Sequence, residues 1–237
     1  MIDVNQVYTT VLFILNKEQR GYMTPAEFNS VATQVQLEIF ENYFEELNVN
    51  LRGPQNSDEF ADRINNLEEK ISLFNRTTSY TTNPFTLLSA ATSVNRVHRL
   101  GVVSYQNPLG DSVEIERVTW KDFNLITRSN LTQPSTAFPI YKQAGNTINV
   151  FPTTLDLGQY NVDYVVKPLD PKWNYSIGGS GQYTYQQTGS QDFEISTQDK
   201  VELILGILKY AGVIIRDPSI FQQANVMEQA DSLIEKS

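Results

Sequence analysis

His98 is the only histidine in the chain, and there is no cysteine. A nucleophile–base pair would have to run through this one imidazole. It lies in "SVNRVHRLGVV", between Arg96 and Arg99, where the alternating pattern makes it a partly exposed strand residue rather than half of a dyad. Disulfides and thiolate metal sites are excluded outright. So are zinc or haem sites built from several imidazoles. Carboxylates remain, gathered as Glu41, Glu45, Glu46 and as Asp58, Glu59, Asp62. Facing carboxylates can hydrolyse glycosides. At one-turn spacing on a helix they read instead as a solvated face or a first-turn match to the helix dipole. Gly-x-Ser-x-Gly, His-Glu-x-x-His and Asp-Phe-Gly do not occur, and Gly178-Gly179-Ser180 lacks the Lys-Ser/Thr of a phosphate loop. The expectation is a protein that is not an enzyme, with no catalytic residue, no metal ligand and no cofactor.

Aromatic and amide side chains are the other candidates. Residues 168–192, "PLDPKWNYSIGGSGQYTYQQTGSQD", hold Trp173, Tyr175, Tyr183 and Tyr185 among Gly, Ser and Gln. Such a mixture is typical of protein interfaces. The segment is too long for an ordinary connector, and it reads as a mobile loop with a flexible glycine tip. The four aromatics are the candidate subunit interface. Overall the chain is poor in charge, with 19% Asp, Glu, Lys and Arg, and its formal net charge is −9. An acidic chain does not seek phosphate backbones by bulk electrostatics. The first residues carry an acid and no basic run, which does not fit a signal peptide. The longest apolar run, "VELILGILKYAGVII", is broken by Lys209 and too short to span a bilayer, so no membrane partner is expected.

These residues must be positioned by an unusual order of elements. Val4, Val7, Tyr8, Val11 and Leu15 recur at helical spacing over residues 3–17. Thr24-Pro25-Ala26-Glu27 is a capping box with proline at the first helical position, predicting a helix to about Leu47. A third helix starts near Ser57. Residues 76–90, "RTTSYTTNPFTLLSA", read as loop. Strands are expected in "VNRVHRLGVVSY" and "VEIERV", then a short helix in "WKDFNLITRS". Three more strands follow near 138–143, 146–151 and 159–167, the first two closed by Ala144-Gly145-Asn146. From Thr197 a helix apolar nearly all round predicts burial on most sides, and Asp217-Pro218 starts a last helix. The fold class is α+β. The helical ends, 1–78 and 196–237, are expected to form one bundle, with 79–195 as an inserted antiparallel β-module.

The helix pair from Leu15 to Asn48 resembles the N-terminal region of virion ring proteins in crAss-like and related podoviruses. The middle of the chain resembles the β-module of head–tail connector adaptors of the tail tubular protein A type. The residues that carry this are Pro139-Ile140-Tyr141, Gly145-Asn146, Val150-Phe151-Pro152 and the stretch from Tyr164 to Pro168. The closing "LKYAGVIIRDPSIFQQA" is also similar to that family. The resemblance implies a structural virion protein, assembled in the host cytoplasm, that forms a dodecameric homo-oligomeric ring. Portal protein would lie above it and another tail or ring protein below. DNA would pass through the channel without specific binding. Two other readings stay open: a carbohydrate-binding or hydrolytic tail component built on a β-sandwich, and a regulatory scaffold of the host.

Overall fold

The computed structural model describes residues 1–17, 22–52, 58–87, 96–106, 110–153, 155, 159–214 and 226. It divides into two compact units, one of Met1–Leu73 with Pro168–Ser237 and one of Phe74–Lys167. The fold class is α+β: the N-terminal helices pack with a C-terminal one, and the sheets are inserted between them in the chain.

The helical unit is built on α1 (Val4–Lys17), α2 (Pro25–Arg52), α3 (Asp58–Ser72) and, after the insertion, α5 (Lys200–Ile214). The buried stripe of α1 is Val4, Val7, Tyr8, Val11 and Leu15, as the spacing predicts. The capping box at α2 forms. Thr24 N–H donates to Glu27 Oε2 at 2.8 Å, and Glu27 N–H donates to Thr24 Oγ1 at 3.3 Å. From there α2 runs five residues beyond Leu47, to Arg52. A cluster of Phe28, Phe40, Leu15, Leu203 and Ile207, all fully buried, fills the core. Helix α5 is less enclosed than its composition predicts. Leu203, Ile207, Leu208 and Ala211 are buried, but Val201 is exposed and Leu205 is half-buried. Its contacts with α1 and α2 cover one face. A Cβ on Gly206 would come within 2.6 Å of Val35 Cγ1, so the α2–α5 approach depends on that glycine. The expected last helix from Asp217 lies outside the described residues, apart from Val226.

Segment 168–192 belongs to this unit and not to the β-module, and it is not a featureless loop. Gln36, buried on α2, donates through Nε2 to the Leu169 carbonyl at 2.7 Å and accepts the Glu194 N–H at 3.0 Å. Glu194 in turn accepts the Leu169 N–H at 2.8 Å. Ile2 and Phe193 form an antiparallel bridge, as do Lys172 and Gln191. Between these ties, β9 (Tyr175–Ile177) and β10 (Tyr183–Tyr185) pair as a hairpin. Its tip is a hydrogen-bonded turn with Gly181 at φ +78°, a conformation glycine adopts without strain. One buried side-chain amide, Gln36, and one half-buried carboxylate, Glu194, do the joining, which is why apolar periodicity does not reveal it.

Among the described residues, the β-unit holds two four-stranded sheets. One has the order β1 (Asn75–Tyr80), β8 (Gln159–Val166), β3 (Val97–Gln106), β4 (Ser112–Glu114). The other has β2 (Phe85–Thr86), β7 (Thr147–Phe151), β6 (Ile140–Ala144), β5 (Glu116–Arg117). Strands β1 and β2 fall in the stretch read as loop. Thr-rich β1 is an edge strand that pairs only β8 among the described residues, so it has no buried face to announce itself. "VEIERV" divides at Ile115 between the sheets: β4 pairs β3, whereas β5 pairs β6 in parallel. Alternation in β8 buries Tyr160, Val162, Tyr164 and Val166. Phe85 of one sheet stacks on Tyr160 of the other, 5.4 Å between centroids. The predicted hairpin forms around Gly145 at φ +60°, and β7 ends at Phe151, just before Pro152. Helix α4 (Trp120–Arg128) lies between β5 and β6 in sequence.

Candidate interaction surfaces

The four aromatics singled out in the sequence form a graded stack rather than a single surface. Trp173 is its buried end, 4% exposed. Asn29 clamps its backbone, accepting the Trp173 N–H at 2.7 Å and donating to the Trp173 carbonyl at 3.2 Å. The indole Nε1–H donates to Asn5 Oδ1 at 3.0 Å. Tyr8, Tyr185 and Tyr175 surround the ring at centroid distances of 4.5, 5.5 and 5.9 Å. Trp173 is therefore a core residue, a correction to its place in the candidate interface. A large apolar ring is stable there because its one polar atom has a partner. Tyr175 and Tyr185 are half-buried. Tyr183 is the outer member, 36% exposed, set edge-on to Tyr175 at 5.1 Å and parallel to Tyr22 at 6.5 Å. Tyr22 and Ile177 are exposed beside these residues in the helical unit and were not singled out in the sequence. Burial, and then the Tyr22 hydroxyl, push the Tyr8 hydroxyl well above the ordinary tyrosine range. Tyr8 donates to the Met23 carbonyl at 3.0 Å.

A second polar group lies under α5. Asp199 is buried in the 3-10 turn Thr197–Asp199 that opens the helix. It accepts from Lys70 Nζ at 2.7 Å and from the Tyr43 hydroxyl. Burial, then the bond to Asp199, raise the Tyr43 hydroxyl far above its usual range. The arrangement couples α2, α3 and α5. It has the features of a structural brace: a buried carboxylate whose two oxygens are taken by Lys70 and the Tyr43 hydroxyl.

Beside Lys70, residues of α2 and α3 line an open cleft of about 550 Å³. Glu45, Glu46, Val49, Asn50, Asn66 and Leu67 line it, with Arg63 and Lys70. Glu41, Glu45, Glu46 and Asp62 are all exposed, as a solvated face requires. Among the described residues no cluster of three or more His, Asp or Glu could hold a metal ion. Nor is any helix there long and apolar enough to cross a membrane.

Four exposed apolar side chains of the β-unit lie in α4 and the stretch that follows it. The Thr119 cap fixes this helix, its Oγ1 accepting the Asp122 N–H at 3.2 Å and donating to Asp122 Oδ2 at 2.7 Å. None of its side chains is fully buried. Trp120 is 57% exposed, and Leu125, Phe138 and Leu131 are exposed with it. Lys142 of β6 sets its ammonium 4.6 Å from the Trp120 ring centroid, 4.5 Å from Phe123 and 5.3 Å from Phe151. The cation holds the aromatic groups in place through their ring faces. Sequence reading found the helix but not its exposure. Trp120 and Leu125 look like core residues until the element is seen to be only partly covered. His98, in β3, is half-buried as expected.

The chain matches no protein-family model and no curated protein.

Proposed function

We propose that this chain is a structural virion protein: an adaptor ring of the head–tail connector, joining portal to tail and extending the DNA channel. The observation that carries this reading is the insertion. Helices α1–α3 and α5 close on one another, and the chain between them forms the strand–hairpin–strand run β6, β7, β8 punctuated by Gly145 and Pro152. That layout has the order of elements that the resemblance implies. Surfaces rich in amides, hydroxyls and uncovered aromatics suit many modest contacts between copies. In this reading free protein is largely monomeric and rings form on the portal, with another tail or ring protein below. The acidic chain surrounds DNA and lets it slide, because like charge in the bore repels phosphates. No chemical step is assigned to it.

Negative-stain microscopy of the purified protein, alone and with portal, tests the reading. A closed ring on the portal is the expected result. A chain that stays monomeric and unbound with portal overturns it. A gel shift with duplex DNA at low salt is the companion test. Salt-sensitive micromolar binding would replace a passive channel with a nucleic-acid-binding function.

The parallel pair of exposed rings, Tyr22 and Tyr183, favours one other reading, a carbohydrate-binding tail component. Sugar rings stack on such faces. A glycan array separates the two, since only the second reading expects a hit that Tyr183→Ala removes.

A further inference from the structure

Charge is distributed very unevenly along this chain. The helical unit contains 21 Asp and Glu against 10 Lys and Arg, whereas the β-unit contains 6 against 8. The imbalance sharpens locally. Helices α2 and α3 carry ten acids and three bases. Between Arg117 and Lys142, around α4, four cations meet one carboxylate, Asp122. The same stretch holds the exposed Trp120, Leu125, Leu131 and Phe138. Exposed apolar side chains interspersed with cations call for an acidic partner that also offers apolar surface. The α2 wall of the α2–α3 cleft offers both: Glu45 and Glu46 stand there beside the exposed Val49, and of the two cations on the α3 side, Arg63 and Lys70, Lys70 is held by Asp199.

We propose that the α4 face of one copy docks into the α2–α3 cleft of a second copy of this chain. Lys121 and Arg128 meet Glu45 and Glu46, while Trp120 and Leu125 cover Val49. The contact is heterologous, because two different faces of the same chain are used. The pair as a whole keeps one face of each kind free, so pairing propagates. This inference rests on the ring reading and names the contact that would build the ring. Cations and carboxylates at its rim make the contact weak in high salt, in keeping with a chain that assembles on a template.

The absence of cysteine makes a direct test clean. Val49→Cys and Leu125→Cys each introduce a single thiol at an exposed position. One protein is labelled with a heavy isotope, the two are mixed at high concentration, and a short bismaleimide links neighbours. Mass spectrometry then counts mixed and like pairs. Mixed Val49–Leu125 pairs are expected to exceed both like pairs. Adding Lys121→Glu and Arg128→Glu to the Leu125→Cys protein should lower the mixed yield about tenfold. Adding Glu45→Lys and Glu46→Lys to its partner should restore it. Unchanged melting of each variant shows that folding is intact. Dominant like pairs, no pairs at all, or a yield indifferent to charge reversal each overturn the proposal. Rings on the portal without the cross-link would leave the ring reading standing and remove this contact. Cross-linked pairs that never close into a ring, with or without portal, would do the reverse.

Discussion

The two tryptophans occupy opposite situations. Trp173 sits among Gly, Ser and Gln in a stretch of low apolar content, yet it is 4% exposed and satisfied at every polar atom by Asn5 and Asn29. Trp120 sits in a compact amphipathic helix, yet it is 57% exposed, with a lysine over its ring. Neighbours in sequence predict neither outcome. Burial is decided by whether another element arrives to cover the ring. Asn29 and Tyr8, far from Trp173 in the chain, provide that cover. Nothing fully buries any side chain of α4. An aromatic loop is therefore not an interface by composition, and an amphipathic helix is not core by periodicity.

The contrast can be broken most forcefully at Trp173. Trp173→Ala should destabilise the helical unit by about 3–5 kcal/mol, as expected for deleting a large buried ring. Urea denaturation followed by circular dichroism measures it, and a loss below about 1 kcal/mol would return Trp173 to the surface. Asn5→Ala is the next step down. It leaves the buried indole N–H without its acceptor and should cost about 1–3 kcal/mol, again read from urea midpoints. Trp120→Ala, measured in the same way, should stay within about 0.5 kcal/mol of the parent.

Alkali gives a related contrast. The Tyr8 and Tyr43 hydroxyls have folded pKa values raised by burial, above the value near 10 of an unfolded tyrosine. The unfolded chain then releases protons that the folded chain keeps. Stability is full below pH about 10 and falls as pH rises above it. Thermal melts across that range should show the decline, and Tyr43→Phe should flatten it. Tyr141 and Tyr160 of the β-unit are raised by burial too and add to the decline in the same direction. At the outer end of the buried stack, Tyr183→Ala should cost less than either Trp173→Ala or Asn5→Ala. It removes one partly exposed ring from Tyr22 and Tyr175, costing about 0.5–1.5 kcal/mol. A melting temperature far below the parent would show the outer end of the stack to be as structural as its inner end.

Periodicity and capping made the helices legible, because α1 and α2 each bury one stripe against a core and Thr24 and Glu27 bond within their own turn. The β6–β7 hairpin was legible for the same reason: its turn chemistry is local, at Gly145. What escaped depends on distant partners. β1 is a polar edge strand whose only described neighbour, β8, lies far along the chain. The ties at Gln36, Leu169 and Glu194 join segments more than a hundred residues apart through amide and carboxylate groups. A glutamine in a helix carries no mark that it is buried. The same holds for the interaction surfaces. The Tyr22–Tyr183 pair comes from two distant segments, and the Lys142 clasp on Trp120 and Phe123 spans a helix and a strand.

The division of the helical unit into two stretches has a consequence for synthesis. On the ribosome, α1–α3 emerge before Phe193, Leu203 and Ile207, so their apolar stripes wait uncovered. Phe74–Lys167 comes next and is contiguous, so it can close on its own as it leaves the exit tunnel. The earlier helices are completed only when α5 appears, and that closure spans the whole intervening unit. Helices made before the β-unit thus finish folding after it. A chain arrested after Lys167 would carry a finished β-unit tethered to helices still seeking a partner, the form most apt to aggregate or to be caught by a chaperone.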